Sequence, residues 1–268
     1  MTVPPSSPVV LVTGSSHGGI GYSICEVFAA RGCTVYATAR RLESVSTFNN
    51  PFIRPLVMDV TSDESVHKAV EHIVEEAGRI DIAVANAGMA GHSPILDMPI
   101  NLAKRVLDTN TIGVLRLAQA VFPHMAARKR GTFVTIGSVV GYTTTPWSGM
   151  YAASKAGAHA ITEALQMEAR ALSPNIHVML VIPGGVKSNI AKNAEFELPE
   201  TSLFKAYLPC VLDRIHLSQA DGTMPTVQFA DGLVKAVLRR GGPPRLFAYG
   251  NRYVDFMEAD VQAENMMF

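Results

Sequence analysis

Three residues in the middle of the chain have types and spacing that suit acid–base chemistry. Tyr151 and Lys155 are four residues apart in a segment with helical periodicity, so their side chains share one face. An ammonium group beside a phenol favours the phenolate and lowers its pKa, which makes a tyrosine a usable proton donor and acceptor near neutral pH. Ser138 lies at the end of a predicted strand, where its hydroxyl could hold a carbonyl oxygen.

A glycine-rich turn at residues 13–21 could hold a phosphate group. It joins the first predicted strand to the first predicted helix. Glycines let the backbone approach a pyrophosphate, and the helix N-terminus offers amide donors and the positive end of a dipole. We therefore expect this turn to bind a dinucleotide through Gly14, Ser16, Ile20 and Gly21, and the alternative is a tight turn without a ligand.

The end of the second predicted strand carries two arginines. Dinucleotide folds that prefer NAD usually place Asp or Glu here to bind the ribose 2′-hydroxyl, whereas this sequence has Arg40 and Arg41. Two guanidinium groups suit a 2′-phosphate. The expected cofactor is therefore NADP(H), and the alternative is a pair of solvated arginines with no ligand.

The elements that must position these residues alternate between strands and helices. The predicted strands are residues 9–13, 34–37, 53–60, 80–85, 131–136, 176–182 and 245–248. The predicted helices are residues 20–30, a segment from Ser62 or Asp63 through Glu76, and residues 101–128, 149–172 and 227–239. This order predicts an α/β fold, a doubly wound (Rossmann) parallel sheet of about seven strands with helices on both faces.

The domain organisation follows from the absence of a composition break or a repeat. Residues 1–268 are expected to form one dinucleotide-binding catalytic domain. Residues 185–224 are read as an irregular stretch too long for a simple connection, and long loops are often lids or binding loops. We expect them to form a substrate-binding loop insertion, and the alternative is a packed excursion with no role in binding.

Composition excludes several classes of protein. The 23 basic and 23 acidic residues cancel, which argues against nucleic acid or anionic lipid as a partner. Cys25, Cys33 and Cys210 lack metal-ligand spacing, so no metal site and no disulfide framework are expected. No apolar run is suited to a membrane span, and residues 251–268 carry several charges. The sequence predicts a soluble cytoplasmic protein.

Seven sequence elements occur in an order that is itself informative. They are the glycine turn of residues 13–21, Asp59-Val60, Asn86-Ala87-Gly88, Asn110, Ser138, Tyr151-x-x-x-Lys155 and Pro183-Gly184-x-Val186. With this set in register, the sequence resembles the short-chain dehydrogenase/reductase family, in its compact single-domain branch, over about residues 8–248. Residues 38–40 and 184–188 are similar to members of the family that act on lipids and steroids, such as 17β-hydroxysteroid dehydrogenase-like and acyl-dihydroxyacetone-phosphate reductase-like enzymes.

The resemblance implies a role for each matching residue. Tyr151 would be the catalytic acid and base, Lys155 would bind the nicotinamide ribose, and Ser138 would orient the substrate carbonyl. Asn110 would hold a water that links Lys155 to solvent. The remaining cofactor contacts would be made near the adenine by Asp59 and Val60, along the ribose side by Asn86 through Gly88, and near the nicotinamide carboxamide by Val186 and Ser188.

Several features leave the outcome open. The glycine turn has one more residue than the family pattern, so the pattern does not say which amides hold the pyrophosphate or whether Ser16 or His17 reaches the 2′-phosphate. Ser188 stands where the family usually has Thr. His92 and His159 are expected to be surface or satisfied histidines. Trp147 could line the pocket or simply pack.

The sequence therefore predicts an NADP(H)-dependent oxidoreductase. It would transfer a hydride between nicotinamide and a ketone or aldehyde, or the corresponding alcohol, of an apolar small molecule in secondary or lipid metabolism. One alternative is isomerisation or dehydration on the same scaffold with no net redox change. Another is a non-catalytic protein that senses NADP. The resemblance also implies a homodimer or homotetramer, paired through the helices predicted at residues 101–128 and 149–172.

Overall fold

A computed structural model describes residues 7–190 and 196–250, so part of the predicted range 1–268 and part of the predicted loop 185–224 lie outside the described residues. Seven parallel strands form one sheet in the order β3-β2-β1-β4-β5-β6-β7. They are β1 Val9–Thr13, β2 Thr34–Ala39, β3 Ile53–Val57, β4 Ile82–Ala85, β5 Gly131–Ile136, β6 Ile176–Pro183 and β7 Leu246–Tyr249. The predicted fold class is confirmed.

The described helices connect these strands and cover the sheet. They are α1 Ile20–Ala30, α2 Asp63–Ala77, α3 Ile100–Leu107, α4 Gly113–Ala127, α5 Gly149–Leu172, α6 Leu208–His216 and α7 Thr226–Val237. Ser62 caps α2, because its side chain accepts a hydrogen bond from the Ser65 N–H. None of these helices has the length and apolarity that a membrane span needs.

Both faces of the sheet are buried because successive strand residues point to opposite sides. In β1, Val9 and Leu11 belong to the core cluster that contains α2, α4 and α5 residues. Val10 and Val12 belong to the opposite cluster, which contains α1 and α7 residues. The near-continuous apolar strands of the sequence are therefore explained by two core layers, one on each face.

Besides shifts of one or two residues at the ends of several elements, three larger differences from the prediction are found. The strand predicted at residues 53–60 ends at Val57, so Asp59 and Val60 lie beyond it, at the sheet edge. The helix predicted at residues 101–128 is interrupted by one π-helical turn, Asp108–Ile112. The stretch 185–224 is not wholly irregular, because it contains α6. Apolar periodicity marks where helices lie but not where their hydrogen-bond pattern changes.

Candidate active site

One large cavity opens at the carboxyl ends of the strands. Its volume is about 1380 Å³. In doubly wound sheets this edge binds ligands, because the chain crosses to opposite faces on the two sides of the switch point, here between β1 and β4. Fourteen of the sixteen predicted site residues line the cavity: Gly14, Ser16, Ile20, Arg40, Arg41, Asp59, Val60, Asn86, Gly88, Ser138, Tyr151, Lys155, Val186 and Ser188. Gly21 and Asn110 are the two predicted residues that do not.

The glycine turn is held by close backbone packing. Gly14 has φ +69°, and a Cβ atom there would lie 2.6 Å from Cα of Ala87. A Cβ atom at Gly21 would collide with the side chain of Asn86 and the carbonyl of Gly14. The Nδ2 atom of Asn86 donates to the carbonyl oxygens of Thr13, at 2.8 Å, and of Gly14, at 3.0 Å. Gly21 and Asn86 thus fix the shape of the turn.

The additional residue of the turn links it to two neighbouring loops. The N–H of His17 donates to the carbonyl of Ser44, 3.1 Å away, in the segment after β2. The carbonyl of His17 accepts from Nδ2 of Asn189, 2.8 Å away, in the segment after β6. Gly18 takes φ +73° to allow this path. Both Ser16 and His17 line the cavity, whereas the Ser15 hydroxyl turns inward to the carbonyl of Val12.

The two arginines after β2 are exposed, and they line the end of the cavity that lies next to this strand. No hydrogen bond or ion pair within the described parts of the chain holds either guanidinium group. Glu43 lines the cavity in the same segment. Asp59 follows β3, and its Oδ1 atom accepts from the N–H and the hydroxyl of Thr61 at 2.9 and 2.7 Å.

The three residues expected to do acid–base chemistry meet at the other end of the cavity. Tyr151 and Lys155 lie in the first two turns of α5, and Ser138 follows β5. The Nζ atom of Lys155 donates to the carbonyl of Ile136 at 2.9 Å and lies 5.9 Å from the centroid of the Tyr151 ring. The Ser138 side chain faces Tyr151 and has a lowering influence on the pKa of the phenol.

The net electrostatic effect on Tyr151 is the opposite of the expected one. Burial is the largest influence and raises the pKa of Tyr151, while Ser138 and the charge of Arg214 partly oppose it. Burial also lowers the pKa of Lys155 to about 8. The expected lowering of the Tyr151 pKa is therefore wrong for the chain by itself, because burial of the phenol outweighs the influences that lower its pKa.

Asn110 occupies the π-helical turn between α3 and α4 and is buried. Its Oδ1 atom accepts from the Met89 N–H at 2.8 Å, and its Nδ2 atom donates to the Met89 carbonyl at 3.0 Å. Nδ2 also donates to the Ser154 hydroxyl at 2.9 Å, which in turn donates to the Tyr151 carbonyl. The Asn110 side chain therefore links α5 to the segment after β4. Its expected role in holding a water stays a prediction.

Two histidines at the site are neither surface residues nor fully satisfied. His92 is 7% exposed, lines the cavity, and stacks on the Tyr151 ring with 5.4 Å between centroids. His159 is 3% exposed, and its Nε2 atom accepts from the Ser138 N–H at 3.2 Å. The Nδ1 atoms of both have no hydrogen-bond partner among the described residues. The expectation for this pair was wrong, although the four-residue spacing of Lys155 and His159 could have indicated a shared face.

Trp147 packs against neighbouring aromatic rings and does not line the cavity. Its ring lies 5.3 Å from Phe204 and 6.2 Å from Tyr207, centroid to centroid, and it is not among the residues that line the cavity. Thr145 and Arg214 also line the cavity; Arg214 belongs to the stretch 185–224 that was expected to bind substrate, but neither residue was singled out by its chemistry. Arg214 lies far along the chain from the other site residues, on the helix α6 that was not predicted, so no local spacing could have indicated it.

Cysteines and metal-ligating side chains do not form a further centre in the part of the chain that the structure describes. Cys25 and Cys33 are buried and Cys210 is exposed, all three as free thiols. No group of three or more His, Cys, Asp or Glu side chains there could hold a metal ion.

Comparison with known proteins identifies the family of this chain. A family model described as short chain dehydrogenase matches residues 8–198. The short-chain dehydrogenase cctT of Talaromyces islandicus is 35% identical over 201 residues, which cover 73% of this chain and 70% of that protein. The NADPH-dependent 1-acyldihydroxyacetone phosphate reductase of Schizosaccharomyces pombe is 30% identical over 250 residues, which cover 91% of this chain and 82% of that protein.

A solved structure gives the same result for the fold. A short-chain dehydrogenase from Streptomyces avermitilis superposes with a TM-score of 0.83 at 26% sequence identity, covering 98% of this chain and 95% of that one. Together with the matched family model, these similarities show that the chain belongs to the short-chain dehydrogenase/reductase family of oxidoreductases.

Proposed function

We propose that this protein is an NADP(H)-dependent oxidoreductase that interconverts a ketone or aldehyde and the corresponding alcohol of a largely apolar small molecule. The observation that carries the proposal is the grouping of Ser138, Tyr151 and Lys155 in the same cavity as the glycine turn and the two arginines. A single cavity that joins a dinucleotide-type turn to a proton donor allows the cofactor and the substrate to meet.

The residues present fit a dinucleotide. The cavity extends without interruption from Arg40 and Arg41 after β2 to Tyr151 on α5, and the glycine turn forms its wall between β1 and α1. Gly88 leaves open the space beside the Lys155 ammonium, since a Cβ atom there would lie 3.7 Å from Nζ. Gly14 and Ser16 would hold the pyrophosphate, and Lys155 would hold the nicotinamide ribose. When bound, the cofactor supplies or accepts the hydride.

The chain's own residues would handle the proton and the substrate oxygen. The Tyr151 phenol would donate its proton to the carbonyl oxygen during reduction and take it back during oxidation. The Ser138 hydroxyl, which already interacts with Tyr151, would donate a hydrogen bond to the same oxygen.

Preference for NADP(H) is supported by the chemistry of the β2 end and by one relative. A planar guanidinium can donate two parallel hydrogen bonds to phosphate oxygens. Arg40 and Arg41 are both exposed, so a phosphate group could reach them. The Schizosaccharomyces pombe relative is named for NADPH dependence. Val139, Val140, Ile190, Ile215 and Leu217 line the cavity, which supports an apolar substrate body.

The remaining attributes stay predictions: a role in secondary or lipid metabolism, a cytoplasmic location and a homodimer or homotetramer. The alternative of isomerisation or dehydration predicts no net consumption of cofactor. The alternative of a sensor does not require Ser138, Tyr151 and Lys155 to share a cavity, so the geometry favours an enzyme.

The test is NADPH oxidation followed by absorbance across a panel of ketones and aldehydes, with the Tyr151→Phe variant in parallel. We expect the variant to lose at least about a thousandfold in kcat while its Kd for NADPH changes by less than about threefold, because the lost hydroxyl acts on the substrate. Tyr142→Phe is the matched control, since its hydroxyl contacts Glu163 on the protein surface. Turnover retained by Tyr151→Phe would contradict the proposal.

A further inference from the structure

One polar side chain of the cavity has no role in the family machinery described above. His92 lies in the segment between β4 and α3 and lines the cavity, although only 7% of the residue is exposed. An apolar side chain could fill such a position without burying polar nitrogens. Packing by itself therefore does not explain the imidazole.

The position of the imidazole is fixed by the chain itself. The backbone next to it is held at the loop before α5, because the Ser93 N–H donates to the Trp147 carbonyl, 3.0 Å away. The imidazole stacks on the ring of Tyr151, with 5.4 Å between the centroids and 28° between the planes. His92 is thus placed beside the proposed proton donor by geometry, without a ligand.

One nitrogen of this ring lacks a hydrogen-bond partner within the described residues. It is Nδ1 of His92, and it is buried. Buried polar atoms are nearly always paired in native proteins, and unpaired ones have a specific reason. The ring is neutral at pH 7 because burial, with a smaller influence from the charge of Arg214, lowers its pKa to about 4. A neutral imidazole has one donor nitrogen and one acceptor nitrogen.

The unpaired nitrogen indicates where the proton of the ring lies. Among backbone groups, buried donors without a partner are rarer than acceptors that lack one, and the same cost applies to a ring nitrogen. Nδ1 is therefore the acceptor, and Nε2 carries the proton. Because Nδ1 is the buried nitrogen of a ring that lines the cavity, the Nε2–H of His92 is the donor that a ligand can reach.

Tyr151 and His92 can contact one small molecule together. In the proposed reaction the Tyr151 hydroxyl binds the oxygen of the reacting carbonyl. A hydrogen bond spans about 3 Å, and the two stacked rings are 5.4 Å apart. A ligand oxygen that is bonded to His92 therefore belongs to a carbon close to the reacting one.

We propose that the Nε2–H of His92 donates a hydrogen bond to a second oxygen of the substrate, a hydroxyl or carbonyl oxygen on the carbon next to the reacting one or on the carbon after that. The substrate class is thus a hydroxy ketone, a diketone or the corresponding diol on a largely apolar body. This inference rests on the proposed function for the identity of the reacting group. It assigns His92 as a residue that determines specificity.

The turnover test compares α-hydroxyacetophenone with propiophenone, two ketones that differ only by a hydroxyl in place of a methyl group. Each is assayed with NADPH on the wild type and on His92→Phe, which keeps an aromatic ring beside Tyr151. The ratio of kcat/KM for the hydroxy ketone to that for propiophenone should fall about fivefold or more in the variant, the effect of one lost hydrogen bond. Comparing ratios cancels the intrinsic reactivity of the two ketones.

Two further variants separate hydrogen bonding from packing. His92→Gln offers an N–H donor without the aromatic ring and should recover part of the ratio. His67→Phe is the matched control, because His67 is exposed on α2 and lies outside the cavity, and it should leave the ratio unchanged.

A spectroscopic test needs no turnover. In the complex with NADP⁺, the Nε2–H proton of His92 is followed by NMR in protein labelled at its histidines with ¹⁵N, and His92→Phe identifies the signal. α-Hydroxyacetophenone should move this signal downfield, and propiophenone should move it much less. If this difference is found but neither ketone is reduced by NADPH, the His92 site stands and the proposed oxidoreductase function fails for these ketones.

Any of three results would overturn the inference. The first is an unchanged ratio in His92→Phe. The second is an equal loss of turnover for both ketones in that variant, which would show that His92 only supports the Tyr151 ring. The third is an Nε2–H signal that does not respond to α-hydroxyacetophenone, or that responds equally to the two ketones.

Discussion

The backbone N–H of Ser138 donates a hydrogen bond to Nε2 of His159, and the two atoms lie 3.2 Å apart. Because Nε2 accepts, the imidazole must be neutral with its proton on Nδ1. The ring also fills the space beside Gly137 and Gly141, where a Cβ atom would collide with it. His159, two helical turns after Tyr151 on α5, thus packs against residues 137–141 and holds Ser138 in place.

Replacing His159 should affect catalysis more than cofactor binding. We expect His159→Phe to lower kcat about five- to tenfold, the effect of one lost hydrogen bond that positions Ser138. The Kd for NADPH should change by less than about twofold. His159→Gln offers a side-chain acceptor and should recover part of kcat. A loss of thermal stability with unchanged kcat would show a structural role alone.

Stability should depend on pH between about 6.5 and 4 because of the two buried histidines. Burial, together with the smaller influence of Arg214 on His92 and of Lys155 on His159, lowers the pKa of each histidine from 6.5 to about 4. The unfolded chain therefore binds protons in this range that the folded chain does not. The free energy of unfolding should fall as the pH decreases through this range, by on the order of 1–3 kcal/mol for each histidine.

Urea unfolding at pH 7.5, 6 and 5 would measure this dependence. The double variant His92→Phe/His159→Phe should show a flatter profile than the wild type. An unchanged slope would mean that other groups are responsible. Asp81, whose pKa is held below its ordinary 3.8 by hydrogen bonds from Val9, Arg128 and Arg79 that outweigh its burial, loses its contribution only at lower pH.

Cofactor preference should depend on the two arginines after β2. Arg40→Ala/Arg41→Ala should weaken NADPH about 10- to 100-fold and NADH only slightly, because only NADPH carries a phosphate for them to bind. Equilibrium binding of both cofactors gives the ratio. Glu43→Gln, which removes a nearby negative charge, should change the ratio in the opposite direction. Equal weakening of the two cofactors would contradict the assignment.

The phenol of Tyr151 should stay protonated at neutral pH in the cofactor-free chain. Burial raises its pKa above the ordinary value of 10, against smaller opposing influences. Absorbance at 295 nm during a pH titration measures tyrosinate, and the difference between wild type and Tyr151→Phe isolates this residue. That difference should be absent from pH 7 to 9. A tyrosinate signal in this range that disappears in the variant would contradict the expectation.

The sequence by itself determined the fold class and most of the site. The apolar strands and the alternation of strands with helices have few arrangements that bury both faces of a parallel sheet. Residues at strand ends, such as Ser138 and Arg40, therefore had to meet at one edge, and they do. The four-residue spacing of Tyr151 and Lys155 was likewise sufficient to predict that their side chains lie on one face of a helix.

Tertiary structure alone decided which residues surround Tyr151. The charge of Arg214 influences the pKa of Tyr151, and the His92 ring stacks on the same phenol. Both residues come from segments distant from α5 in the sequence, so no periodic spacing could have related them to Tyr151. Tertiary structure also decided the electrostatics, since the expected lowering of the Tyr151 pKa depended on a nearby charge while burial proved larger. Burial and long-range contact depend on how elements pack, whereas sequence spacing specifies only neighbours within one helix or strand.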